Sequence, residues 1–350
     1  MRFAACGFAD HPAKPPAAFS NVMIMSNSPL YAGLDVGGTT MKAGVVDDDG
    51  RPVGSFVSLT TEAHRGQEFG LERMAEAIRQ AVAAAGVGWD RVAAIGVATP
   101  GLMDIPAGVI LDPPNLRPWK NVPVRQYVQD QFKVPTAFQN DANAAAYGEL
   151  WAGAGRGARS MVLFTLGTGV GGGIVIGDRV LEGEHSHGAE LGHMKIEMTR
   201  PRLCGCGRTG CLEAYASATA VVARAREALA EDDGLSTLHS LAKTGELTAR
   251  DVFGAADARD ALAARVVEET AYYLAVGAAN MMHIIDPDVV VFGGGMTAAG
   301  EPFMERIRHH VQQLAFPVPA ERTLIRYAEL GSDAGFIGAA GCGRLLVKGR

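Results

Sequence analysis

The sequence predicts an α/β protein of duplicated, two-domain build, and three observations predict it. Two stretches, "YAGLDVGGTTMKAGVVDDDGRPVGSFVSLT" and "MVLFTLGTGVGGGIVIGDRVLEG", each open as an apolar run, a glycine-rich turn and a second run. The first continues into a segment of helical period and another strand; the second continues into helical segments and the late buried run "DVVVFGGG". With 350 residues, 48% of them apolar, the chain can fill two cores at about 100–200 residues per domain.

Residues 1–28 carry Pro and Ala but no unbroken apolar core, so they read as a disordered leader and not as a signal peptide, with Met23 or Met25 as alternative starts. From Tyr31 three short strands are expected, with Gly37-Gly38 at the first turn and Asp49-Gly50 at the second. Leu71, Met74, Ala75, Ile78, Val82 and Ala85 then recur at helical spacing, and "RVAAIGVATPG" returns to a strand. The domain boundary is expected near "FQNDANAAAYGELWAGAGRG", where a strand runs into a helix beginning about Ala142. The second half should open with a strand from Met161, a glycine turn and a second strand, with "HMKIE" offering a third.

Gly167, Gly169 and Gly172 spell G-x-G-x-x-G directly after a strand, which invites a dinucleotide-binding reading. That reading needs a helix next, and the β-branched run Ile174-Val175-Ile176 follows instead. The glycines therefore close a hairpin, whose backbone amides can still cradle phosphate as a nest. In "DVGGTTMK", Asp35 suits hydrated Mg2+, while Thr39 or Thr40 with the Gly38 amide suits phosphate, and Lys42 adds a cation. The G-x-x-x-x-G-K-[ST] loop is missing, so this is not a P-loop enzyme by that motif.

Three of the five cysteines, Cys204, Cys206 and Cys211, fall within eight residues, whereas Cys6 and Cys342 are distant singles. This pattern fits a reduced cytoplasmic protein with a metal site better than a disulfide framework. Tetrahedral zinc needs a fourth ligand, and His193 is the nearest upstream histidine. A rival arrangement places a catalytic metal on His185, His187 and His193 with Glu190 as base, hence a hydrolase, but it leaves the thiols unexplained. On the first reading His185 and His187 are solvated loop residues. A net charge of −6 without a long basic run argues against nucleic acid as partner, and the most apolar later segment, Ala271 to Met282, is too short to span a bilayer.

The motifs "LDVGGTTMK", "TPGLMD", "PPNL", "NDANAAAYGE", "LGTGVGGGI", "ELGHM", "CGCGRTGCLE" and "VVVFGGG" together resemble the ROK family (repressor, open reading frame, kinase), within it the bacterial ATP-dependent glucokinases, from Tyr31 to about Leu346. The resemblance implies an actin-like, RNase H-like two-domain sugar kinase with a structural zinc, closing on sugar and nucleotide between its domains. The expected division is a leader over 1–30, a small domain of 31–139 plus 332–350, and a large zinc-bearing domain of 140–331. By the same resemblance the general base falls on Asp141. The sugar ligands fall on Asn115, Asn140, Asp141, Glu190, His193 and Glu213, and the zinc ligands on His193, Cys204, Cys206 and Cys211. Nucleotide phosphates are expected against Asp35, Gly37, Gly38, Thr39, Lys42, Gly167, Thr168 and Gly169, with adenosine near Gly294 and Gly295.

Two of these residues have plainer readings: Asp141 as the N-cap of the helix it starts, and Asn115 as a turn residue. "SHGAELGH" has Ala189-Glu190-Leu191 where relatives often read Gly-Glu-Ile, and Gln139 precedes the Asn-Asp pair. Within the family, N-acetylglucosamine, N-acetylmannosamine, fructose or allose, polyphosphate as donor, and a homodimer or higher oligomer remain open. A sugar-responsive repressor is disfavoured because residues 1–30 are too short for a DNA-binding module and hold only Arg2 and Lys14.

Overall fold

The computed structural model describes residues 28–232 and 234–349. The expected leader lies outside them except for Ser28, Pro29 and Leu30, and Leu30 is the fully buried first residue of a strand.

The first half runs β1 (Leu30–Val36), β2 (Thr40–Val46), β3 (Pro52–Thr60), α1 (Gln67–Ala84), β4 (Val92–Thr99), the small hairpin β5 (Leu102–Asp104) and β6 (Val109–Asp112), α2 (Val124–Phe132), β7 (Thr136–Asn140) and α3 (Asp141–Ala152). Its sheet has the order β3-β2-β1-β4-β7, antiparallel through the first three strands and parallel through the last three.

The second half runs β8 (Ser160–Leu166), β9 (Val170–Ile176), β10 (Arg179–Val180), α4 (Glu213–Ala216), α5 (Ala218–Ala230), α6 (Leu238–Thr244), α7 (Ala249–Asp257), α8 (Ala261–Ile285), β11 (Val289–Gly293), α9 (Gly300–Leu314), α10 (Pro317–Arg322), β12 (Leu324–Tyr327) and α11 (Ala334–Lys348). The sheet order β10-β9-β8-β11-β12, with the same directions, repeats the first sheet strand for strand. The third strand is thus Arg179–Val180 and not "HMKIE". Lys195 makes only an isolated bridge to Cys211, because the segment between is recruited to wrap the cysteine cluster.

Each sheet is covered on its outer face by its own helices. The first core joins Leu34, Ile95 and Val97 to Met74 and Ile78 of α1. The second joins Phe164 and Phe292, stacked at 5.3 Å, to the apolar stripe of α8. The inner faces share α3 and α11: α11 lies on β1 and β4, α3 lies on β8 and β9, and the two helices pack on each other. Small residues allow this close crossing, with Ala144 and Gly148 of α3 set directly against Gly338 of α11. The carboxyl ends of β1, β4 and β7 therefore face those of β8 and β11 across a crevice, the usual place for a ligand in such sheets.

Candidate functional site

A cleft of about 290 Å³ opens at those strand ends, lined among others by Asn140, Asp141, Ser186, His187 and Glu190. Asn140 ends β7 and caps α3: its Oδ1 accepts from the amides of Ala142 at 2.9 Å and Asn143 at 3.2 Å. The cap is Asn140, so the plainer reading of Asp141 does not hold. Asp141 occupies the first helical position, with one carboxylate oxygen accepting from the Ala142 amide at 2.8 Å. Burial pushes its pKa up to about 6, against the lowering pull of that amide and with a further push from Glu190. A carboxylate with such a value, held at a cleft, suits proton transfer near neutral pH.

Asp35, near the end of β1, is driven up to about 7 by burial and by the charge of Asp141, with Lys42 pulling the other way. It lies beneath Gly335 in the first turn of α11, where a side chain of any size would collide with the carboxylate. Lys42 itself turns to Asp333, with which it forms an ion pair, and to the Ser332 hydroxyl at 3.0 Å; its ammonium also lies 4.0 Å from the Phe56 ring. Its engagements thus tie the first hairpin to the start of α11. Gly38, Thr39 and Thr40 are exposed at the turn, and Gly38 packs against the backbone of Asn115 in the short 3-10 turn Pro114–Leu116. Asn115 thus stands beside the first glycine turn, while its neighbour Pro114 lines the cleft.

On the opposite wall the second glycine turn, Gly167 to Gly169, is tied to the zinc-like cluster through one carboxylate. Glu213 begins α4, and its Oε2 accepts from the Val170 amide at 3.1 Å while its Oε1 lies 3.2 Å from the Cys204 thiol. Thr168 is held by the Thr219 hydroxyl at 2.8 Å. Gly294 and Gly295 follow β11 on the same edge. Gly294 has φ +90° and passes so close to the Leu166 carbonyl that a Cβ would sit 2.4 Å from it, so only glycine fits.

His193, Cys204, Cys206 and Cys211 bring their donor atoms within 4.8 Å of one another. Thiolates about 2.3 Å from a tetrahedral zinc stand about 3.8 Å apart, slightly less for a nitrogen and a sulfur. The Cys206 and Cys211 sulfurs are 3.8 Å apart, as are His193 Nδ1 and the Cys204 sulfur. The chemistry and spacing of the set fit zinc. With Nδ1 turned to the cluster, the other ring nitrogen of His193 is left for a different partner.

Several cleft residues were not legible as such. His187 is an exposed loop residue, as expected, and it also lines the cleft with Glu190. Ser186 and Ala189 have φ of 59° and 60°, the left-handed region. Ala189 carries the cost of that conformation, about 1–2 kcal/mol, inside the loop that presents Glu190. No local sequence pattern announces such a backbone.

A profile of the ROK family matches residues 31–344. A glucokinase of Halalkalibacterium halodurans is 38% identical over 318 residues, covering 91% of this chain and 94% of that one. Among solved structures, a ROK hexokinase from Thermus thermophilus superposes with a TM-score of 0.78 at 37% identity, covering 91% of this chain and 99% of that one. A ROK family glucokinase from Streptomyces griseus, in complex with glucose and AMPPNP, gives 0.71 at 33% identity over 90% of this chain and 99% of that one. Matched over nearly its whole described length in both sequence and fold, this chain belongs to the ROK family and has the family's sugar kinase fold.

Proposed function

We propose that this protein is a glucokinase that transfers the γ-phosphoryl group of ATP to the 6-hydroxyl of D-glucose. The observation that carries the reading is the cleft that sets Asp141, raised to about 6, beside Asn140 and Glu190 where the two sheets face each other. The glucokinase names and the glucose and AMPPNP complex among its relatives support it.

In this mechanism Asp141 accepts the proton of the attacking hydroxyl while the bound sugar is oriented by Asn115, Asn140, Glu190, His193 and Glu213. Phosphoryl transfer asks for positioning and charge stabilisation more than covalent chemistry. The two glycine turns offer backbone amides to the phosphates, and Gly294 and Gly295 border the place left for adenosine. Asp35 would hold Mg2+, which accompanies the nucleotide and neutralises charge on its phosphates. Zinc on His193, Cys204, Cys206 and Cys211 would brace the sugar wall through the chain itself: Cys211 stands two residues before Glu213 at the start of α4, and His193 closes the short turn that follows Glu190.

The domain grouping that accompanies this reading places 31–139 with 332–350 and 140–331 together, supported by the seating of α11 on β1 and β4. A homodimer or higher oligomer is proposed on resemblance alone. A reduced, cytoplasmic setting is proposed from the free thiols of the cluster; no described helix is long and apolar enough to cross a membrane.

The test is ADP release across a panel of hexoses with ATP and Mg2+, with polyphosphate as a second donor. Glucose with ATP should lead. N-acetylmannosamine, N-acetylglucosamine or fructose far ahead would move the substrate and leave the mechanism, and no release with any sugar would end the kinase reading.

A further inference from the structure

The residue before the Asn-Asp pair departs from a simple strand end. Gln139 is 2% exposed, yet every polar atom of its side chain is used. Its Oε1 accepts from the Asn140 amide at 2.8 Å and from Asn143 Nδ2 at 3.2 Å, and its Nε2 donates to Glu182 Oε1 at 2.9 Å. The first two bonds stay within the β7–α3 junction. The third crosses to the other half of the molecule.

Glu182 is the neck of the loop that carries Glu190. Its carbonyl accepts from the Gly188 amide at 2.8 Å, closing residues 183–187 into a short excursion. Gly183 and Gly188 meet backbone to backbone there, with a Cβ on Gly188 only 2.6 Å from the Leu181 carbonyl. From Gly188 the chain passes through left-handed Ala189 directly to Glu190. A second crossing bond, from the Ile105 amide to the Ser186 hydroxyl at 2.9 Å, holds the excursion from the other side.

We infer that Gln139 is a positioning residue that sets the register between Asn140-Asp141 on one wall and the Glu190 loop on the other, through the hydrogen bond its side-chain amide donates to Glu182. The inference rests on the sugar-site reading of Asn140, Asp141 and Glu190. Gln139 itself touches no substrate. A buried amide whose oxygen and nitrogen are both hydrogen-bonded fixes geometry well because each broken bond leaves a partner unpaired in a poorly solvated place.

The chemistry of the bond supplies its test. Gln139→Glu keeps an oxygen for Asn140 and Asn143 but sets a carboxylate against that of Glu182, breaking the crossing bond alone. Glu182→Gln leaves an amide oxygen that still accepts from Gln139. In the double variant Gln139→Glu with Glu182→Gln, the amide and the carboxylate are exchanged and every bond is restored. In the full chain, Q139E should raise KM for glucose about tenfold, with KM for ATP within about twofold of wild type. E182Q should stay near wild type, and the double variant should return to within about threefold of it.

Hydrogen exchange gives an independent readout without turnover: amides over 183–190 should exchange faster in Q139E and recover in the double variant. A double variant as impaired as Q139E, or a Q139E loss shared equally by both substrates, overturns the inference. Unchanged exchange in Q139E overturns it too, even if the wild-type protein phosphorylates no sugar, an outcome that separately ends the kinase reading.

Discussion

The two glycine turns stand at the same place in matching sheets and are furnished differently. Two residues before the first turn Asp35 pairs across the hairpin with Lys42; at the corresponding places before and after the second turn stand Thr165 and Gly171. The first half therefore brings charge to the crevice, and buries it: the carboxylates raised toward neutrality are presented by its strands, Asp35 within β1 and Asp141 directly after β7. The second half brings backbone and a braced wall, with Glu213 locked between the Val170 amide and the cysteine cluster. Duplication supplied two equivalent scaffolds, and function separated them into a half that titrates and a half that a metal would hold. Among the carboxylates, protonation near neutral pH should then be a property of the first, and dependence on metal a property of the second.

Removing the base is the most damaging way to probe the titrating half. Asp141→Asn should lower kcat roughly 10²-fold or more, the scale of general-base removal, while calorimetry still detects glucose. Because Asn140 and not Asp141 caps α3, no cap is lost, and removing a carboxylate that burial raises to about 6 should leave the melting temperature at neutral pH unchanged or somewhat higher, never lower. In the wild-type protein kcat/KM should fall as pH drops below the window from about 7 to about 6, where Asp35 and Asp141 take up protons. The residual activity of Asp141→Asn should lose the part of that decline due to Asp141. Near-normal turnover in the variant would remove Asp141 from the chemistry.

The braced half should answer to metal instead. Purified protein is expected to hold about one zinc per chain by elemental analysis, and Cys206→Ser should lower that content and the melting temperature together. Glu213 and His193 would then lose their anchor, so KM for glucose should rise about 10–100-fold, the usual scale when support around a metal site is lost, with a smaller change for ATP. Full zinc and unchanged melting in Cys206→Ser would leave the second half without its brace.

How much of this contrast the sequence disclosed follows the range of the forces involved. Hairpins, their glycine turns, the α1 stripe and the late buried strand are local patterns of period and turn chemistry, and they appear where expected. The cysteine cluster was legible because its thiols are close in sequence. The third strand of the second sheet was misplaced onto "HMKIE", since Arg179–Val180 is two residues long and is defined by its pairing with Ile176 and Val175. Lys42 belongs to the same class. Its neighbours in sequence suggest phosphate, an expectation that its ion pair leaves standing, but the partner Asp333 is 291 residues away and no local pattern reveals it. The bond from Gln139 to Glu182 and the left-handed Ala189 likewise exist only once the two halves meet.

The smallest expected effect is the most discriminating for the contrast, because it reads stability and not catalysis. Asp35 has a folded-state pKa of about 7 against an ordinary value of 3.8. Between those values the folded chain binds a proton that the unfolded chain does not, so this group opposes folding most above pH 7 and its penalty is relieved as pH falls. Asp35→Asn removes the buried charge while keeping the shape. Without added nucleotide or magnesium it should melt a few degrees above wild type at pH 8, with the gap narrowing through pH 7 and closing near pH 4. Thr165→Val, at the matching position of the second half, changes no titrating group and should shift melting by the same amount at every pH. If Asp35→Asn is no more stable than wild type at pH 8, the carboxylate is better solvated or paired than its burial implies. The two turns would then differ in sequence without differing in electrostatic cost.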